Sequence, residues 1–232
     1  MLQRRFSISY TFLFIAFISF FACHSDSNSD QRTKKKYLSS AELKTQLTQI
    51  SLDDQSYRIL ASKMRQANKG VRTPEEGQFW AKQTILDSIN MDKVEAIIAE
   101  VGYPGSNMVG DTLKHVVASV IMHNPKRQAK YVTLIWRAAT VGDVQPLEAA
   151  TLEDRVLMFS GKNQKYGTQM KYDTIQIDHN TGNIITKLRI WPIENLKIVD
   201  SLRTTIGLYP VSRQCELMRI DIGELKGYKP KK

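Results

Sequence analysis

Cysteine is nearly absent from this chain of 232 residues, which holds only Cys23 and Cys215. Two cysteines cannot build a disulfide framework, and no Cys and His spacing resembles a zinc site. Apolar runs long enough to cross a bilayer are also lacking: the stretch from Tyr10 to Ala22 falls short of the roughly 20 residues required. The nucleophile motif G-x-S-x-G, the phosphate-cradling P-loop and the dinucleotide Gly fingerprint are all missing. Charge of one sign is scarce where it would matter most. The full chain carries +10, but its basic excess sits in Arg4 and Arg5 and in the segments Arg32 to Lys36 and Lys226 to Lys232. Between them, residues 37 to 225 hold 23 bases against 21 acids. A nucleic-acid-binding face would show as a basic excess in the folded part, so no nucleic-acid partner is expected.

What is present begins with Arg4 and Arg5, followed by the apolar run that stops at Cys23. This is the layout of a secretory signal over residues 1 to 22. The end "FFAC" resembles a bacterial lipoprotein box, which makes Cys23 the expected lipidation site and new N-terminus. Cys215 would then be the only thiol of the mature chain, and it reads as a small buried apolar residue. From 24 to 36, "HSDSNSDQRTKKK" contains no apolar residue and reads as a disordered tether. The expected organisation is therefore a signal (1–22), a lipidated Cys with tether (23–36), one mostly helical domain (37–225) and a basic tail (226–232). The expected setting is the cell envelope, anchored in a bacterial membrane, most simply the outer one.

The domain reads as mainly α, an α+β arrangement of six to seven helices with one small β-hairpin near 170–191. Ser39 and Glu42 form a capping box ahead of a helix of roughly 30 residues, marked by Leu43, Leu47, Ile50, Tyr57, Ala61 and Met64. Thr73, Pro74 and Glu76 start a second helix that runs towards Val101, with Asn90 as the place where it could break. Further helical patterns cover 108–123, 125–141 and 145–160. "TIQIDHNTGNIITKLRI" alternates on both sides of a Gly-containing turn, which predicts the hairpin. Glu194 to Ile206 and Pro210 to Arg219 read as two closing helices.

The helical spacing places polar residues where apolar ones are expected. Asp54 falls on the stripe from Ile50 to Tyr57, and Asp87 on a stripe through Trp80, Thr84, Met91, Val94 and Ile98. His123 follows Val109, Leu113, Val116 and Val120, while Asp154 shares a side with Leu147, Ala150 and Leu157. A buried carboxylate must be paired, hydrogen-bonded or at a cavity wall. Arg58 lies one turn after Asp54, and Arg155 follows Asp154. These groups could be an internal ion-pair network or the walls of one polar pocket. Carboxylate and imidazole suit metals, but the Glu and Glu-x-x-His spacing of di-iron bundles is absent, and an Arg beside an acid repels a cation. No metal and no cofactor are expected.

Taken in order, "DDQSYR" (53–58), "LDSIN" (86–90), "GYPGSNMVG" (102–110), His123, "LEDRV" (152–156), "GKNQKYGTQ" (161–169), "PIEN" (192–195) and "RTTIGL" (203–208) resemble the bacterial domain of unknown function six-six-two-four family. The resemblance spans almost all of the domain but implies no established activity. It implies that Asp54, Gln55, Arg58, Asp87, Asn90, His123, Asp154, Arg155, Gln164, Tyr166 and Gln169 are motif residues, and these are the candidate ligand-binding positions. Three functional readings follow. The leading one is a non-catalytic envelope module that binds a polar ligand or a protein partner through such a pocket. The second is an acid/base hydrolase or transferase acting on an envelope component, with His123 and Asp54 or Asp87 as its proton-transfer pair. It requires His123 within hydrogen-bond reach of a carboxylate at an open pocket. The third makes the polar centre a buried scaffold. The pocket readings expect Asp54, Asp87, His123, Asp154 and Tyr166 to meet at one cavity, with the stretch 154–169 as one wall.

Overall fold

Ser39 starts the first element as its sequence implies: its hydroxyl accepts the Glu42 N–H, and the Glu42 carboxylate accepts the Ser39 N–H in return. The helix α1 (Ser40–Ala67) runs from this cap, turns at Asn68, and is followed by α2 (Pro74–Val101), capped by Thr73. The two pack along each other as a long antiparallel pair. The structure, a computed structural model, describes residues 38–177 and 184–228, within the unit Tyr37–Lys232. The expected signal, Cys23 and tether lie outside the described residues, as do the hairpin turn and the end of the basic tail. Among the described residues no helix is long and apolar enough to cross a membrane.

Residues 108–123 do not form the single helix that their spacing predicts. A short α3 (Ser106–Val109) closes at Gly110, the chain turns, and α4 (Val116–Met122) begins afterwards. This split is why eight α-helices appear among the described residues rather than six or seven. The turn before α3 is pinned from a distance: the Asp143 carboxylate accepts the Ser106 N–H at 2.7 Å. It also lies so close to Gly105 that a Cβ there would stand 2.0 Å from its oxygen. A short 3-10 turn (Gln128–Tyr131) leads into α5 (Val132–Thr140), and α6 (Pro146–Phe159) packs against α5.

The hairpin is β1 (Met170–Ile177) with β2 (Ile184–Ile190), antiparallel, paired from Met170 with Ile190 to Ile177 with Ile184. Two closing helices follow, α7 (Val199–Thr205) and α8 (Val211–Met218), shorter than their patterns suggest. The protein is thus mainly helical with one small two-stranded sheet.

Two apolar cores hold these elements. The larger joins Leu43, Leu47 and Ile50 of α1, Met91, Val94 and Ile97 of α2, and residues of α3 to α6. The smaller joins Ile190, Ile193, Val199, Val211, Cys215 and Ile220 beneath the hairpin. Cys215 is buried there, and burial raises its thiol above the ordinary value, as befits a packing residue. The larger core ends at Ile50 and Met91. Beyond them the α1–α2 interface buries Asp54, Glu76 and Gln83, with Ala61 as the one fully buried apolar residue described there and the half-buried Tyr57 and Phe79 rings stacked beside it. The inward face of α2 is correspondingly Glu76, Gln83, Asn90, Met91, Val94 and Ile97, while Trp80 and Thr84 of the expected stripe are exposed. Asn90 does not break the helix, because its side chain is buried and donates to the Ile50 carbonyl at 3.4 Å.

Candidate functional site

Where the apolar core stops, a ladder of polar side chains takes over between α1 and α2. Asp54 leaves α1 directed at α4, and its Oδ1 lies 2.8 Å from His123 Nδ1. Gln55 donates to the other oxygen at 2.6 Å. Arg58, one turn on, stands 3.7 Å from Asp54 and places its terminal nitrogen 2.7 Å from both oxygens of Asp87. Gln83 completes the rung: it donates to Asp87 at 2.8 Å and to the Asp53 carbonyl, and accepts the Tyr57 N–H. Apart from Arg58 Nε, which is buried without a hydrogen-bond partner, these polar groups satisfy one another, and that is what makes their burial tolerable.

The electrostatics of Asp54 follow from these contacts. Burial is the largest influence and alone would raise its carboxyl. The hydrogen bond and charge of His123, the Gln55 amide and the nearby Arg58 together outweigh it and hold the group below its ordinary value. An ionised carboxylate only accepts, so His123 Nδ1 carries the proton and donates it to Asp54. Nε2 is then the ring nitrogen left for a bound molecule.

His123 caps the C-terminus of α4, and the carbonyl just before it is clamped twice. Gln128, fully buried, donates to the Met122 carbonyl at 2.6 Å, and Arg155 donates to the same oxygen at 3.1 Å. On its open side His123 lines a cavity of about 280 Å³ between α4, α5 and α6, with Ala118, Ser119, Met122, Ile135, Leu147, Glu148, Thr151 and Leu152. A second hollow of about 140 Å³ adjoins Asp54, Gln55, Thr112, His115 and, again, Ser119. His115 Nδ1 stands 3.7 Å from Glu148 across this region. Among the described residues no three His, Cys, Asp or Glu side chains are placed as metal ligands would be.

The structure brings together Asp54, Gln55, Arg58, Asp87 and His123, with Asn90 one turn below on α2, but it does not bring Asp154 into the group. Asp154 is fully buried and is turned away onto the loop after α6, accepting the N–H groups of Lys165, Tyr166 and Thr168 and the Thr168 hydroxyl at 2.7–3.2 Å. Gln164, equally buried, ties that loop to the hairpin through the Gln169 backbone and the Trp191 carbonyl. Tyr166 lies against the Trp136 ring, 5.8 Å between centroids, and lines a different hollow with Lys165, Glu194, Asn195, Ile198 and Leu202. The expected wall at 154–169 is therefore a self-satisfied joint. Its acids and amides face backbone groups of the loop itself, of α6 and of the segment after the hairpin, where helical spacing cannot follow them. Arg155 is the link between the two regions, touching both Met122 and Gln169.

Several contributors had no signal in the helical stripes. Gln83 reads as an ordinary surface residue, and Ser119 as a small polar gap in an apolar helix. Arg203 is buried and donates to the Tyr166 and Tyr209 carbonyls and to Gln214, each at 2.5 Å. It belongs to "RTTIGL", the only hint the sequence offers of it. Compared with known proteins, the chain matches no family model, no curated protein and no solved structure. The family resemblance of its motifs rests on those motifs alone.

Proposed function

We propose that this is a lipid-anchored cell-envelope protein whose helical domain carries an acid–base site of hydrolase or transferase class, with His123 as the proton carrier and Asp54 as its orienting partner. One observation supports this above all: Nδ1 of His123 is held at 2.8 Å by a buried, ionised carboxylate while the same ring lines a cavity. A carboxylate on one nitrogen fixes the tautomer, aims the ring and stabilises the imidazolium that forms when the other nitrogen takes a proton. A purely structural His has no need of an open cavity beside it. In this reading the membrane is met through lipid on Cys23, and the substrate is a component of the envelope.

A second reading, a binding module without chemistry, draws on a separate observation. Arg58 is engaged by Asp87, and Arg155 by Met122 and Gln169, so neither is poised to hold a developing negative charge.

The deciding experiment assays the full chain against amide, ester, phosphoester and glycoside model substrates of envelope components. Turnover should fall at least about 100-fold in His123→Gln and Asp54→Asn with the fold retained by circular dichroism. Wild-type turnover that His123→Gln leaves unchanged, or no turnover on any class, overturns the acid–base reading. Envelope extract that raises Tm without being altered would then support the binding module.

A further inference from the structure

We propose that Ser119 is the nucleophile of this site and that the adjoining cavity receives a short acyl group, so that the domain cleaves or transfers small acyl esters. The proposal deepens the acid–base reading of His123 and rests on it.

Three observations single out Ser119. It lies on α4 one full turn before His123, whose N–H bonds to the Ser119 carbonyl at 3.1 Å, so the two side chains share a helix face. It lines both the cavity beside His123 and the hollow beside Asp54, the one residue common to the two among the described residues. Its hydroxyl is also uncommitted. Thr45, Thr48, Thr84 and Ser160 each bond back to the carbonyl four residues earlier, the usual fate of a helical hydroxyl. Among the described residues Ser119 Oγ has no such bond and no other side-chain partner. The hydroxyl makes no bond to His123 here, but it shares a helix face and a cavity with a base that is itself oriented by a carboxylate, and catalytic contacts of this kind often tighten only when substrate is bound.

The cavity gives the substrate class. Its walls are Ala118, Met122, Ile135, Leu147 and Leu152, with Glu148 and Thr151 as polar exceptions. At about 280 Å³ it lies just below the usual span of small-molecule sites, about 300–1,000 Å³, which suits a short apolar acyl group and not a polymer chain. The reaction balances without a further reactant than water. Ser119 Oγ attacks the ester carbonyl carbon while its proton passes to His123 Nε2. The alkoxide leaves, takes that proton and departs as an alcohol, and the acyl group remains on Ser119. Water then attacks the acyl carbon, gives its proton to Nε2, and releases the carboxylic acid as the proton returns to Ser119 Oγ. An acceptor hydroxyl in place of water makes the second half a transfer.

The test treats the full chain with a butyl-bearing fluorophosphonate and locates the adduct by peptide mass, alongside p-nitrophenyl butyrate turnover. The adduct should fall on Ser119, disappear in Ser119→Ala, and form at least about 100-fold more slowly in His123→Gln. Folding of each variant is checked by circular dichroism, and Ser119→Cys should restore labelling by an alkylating probe if Ser119→Ala fails to fold. No adduct on the wild type, or an adduct elsewhere, overturns the proposal. Turnover that survives Ser119→Ala but is lost in His123→Gln overturns the nucleophile and leaves the acid–base dyad standing. Turnover that survives both variants overturns the dyad as well.

Discussion

Asp54 and His123, 69 residues apart in the chain, meet at 2.8 Å where the apolar core between α1 and α2 gives way to polar side chains. The contact ties the long helix pair to the end of α4, so it bears on stability as well as on chemistry. The Asp54 carboxyl is held below its ordinary value of 3.8 in the folded protein, by His123, Gln55 and Arg58 acting against burial. A carboxyl lowered on folding contributes stability that is fully present above its unfolded value and is lost as pH falls through the folded value. Asp54→Asn should therefore lower the unfolding free energy by about 2 kcal/mol at neutral pH, the range of a hydrogen bond to a charged group. The gap to wild type should narrow as pH falls below about 3.8 and close once the lowered folded-state carboxyl is itself protonated. Urea unfolding at several pH values measures it, and a gap that does not vary with pH contradicts the role given to this carboxylate.

Arg58 and Asp87 test whether the polar ladder holds the α1–α2 pair together. Both side chains are mostly buried, and both Asp87 oxygens lie 2.7 Å from the same guanidinium nitrogen. Removing the guanidinium strands a carboxylate that keeps only Gln83, so Arg58→Ala should cost about 3 kcal/mol. The double variant Arg58→Ala/Asp87→Ala should lose clearly less than the sum of the singles, with a coupling of about 1–3 kcal/mol. Additive losses in denaturant unfolding would mean the pair is not coupled.

Asp154 separates scaffold from site. It accepts three backbone N–H groups and a hydroxyl from residues 165–168 and touches no cavity beside His123. Asp154→Ala should cost about 3 kcal/mol, since several buried donors lose their acceptor together. Amide exchange at Lys165, Tyr166 and Thr168 should accelerate, while the chemistry assigned to His123 persists in the molecules that remain folded. A selective loss of that chemistry with no change in exchange would return Asp154 to the site.

How far these residues could be read from the chain differs by element. The caps at Ser39 and Thr73 and the alternation of the hairpin are local signals, and the elements they mark are present. Asp54 was visible because a carboxylate interrupts an otherwise regular stripe. Tryptophan reads as apolar and so puts Trp80 and Thr84 on the expected stripe of α2, whereas the interface at that height buries Glu76 and Gln83. Polar residues that satisfy each other across two helices leave no hydrophobic period to detect. Asp154 shows the opposite limit: its burial was legible, but its partners are backbone groups of a loop, and no residue pattern shows where a loop's N–H groups point. Ser119 is legible only once α4 places it a turn from His123.

Gly167 offers the sharpest separation of steric and conformational effects. It lies in the loop that Asp154 holds, with φ +72, a left-handed conformation that side chains rarely adopt. A Cβ there would also stand 2.9 Å from Ile193 Cδ1, inside the smaller core, while the Gly167 carbonyl accepts from Gln214 at 2.9 Å and so cannot drift freely. Gly167→Ala carries two costs, the φ strain of about 1–2 kcal/mol and an overpacking cost of about 1–3 kcal/mol. Ile193→Val removes the very atom that clashes and costs about 1 kcal/mol by itself. In the double variant the overpacking cost should vanish while the φ cost stays, so the double should be less damaging than the sum of the singles by about 1–3 kcal/mol. Unfolding free energies of the four proteins measure this. Strict additivity would mean that the backbone conformation alone, and not the approach to Ile193, makes glycine necessary at this position.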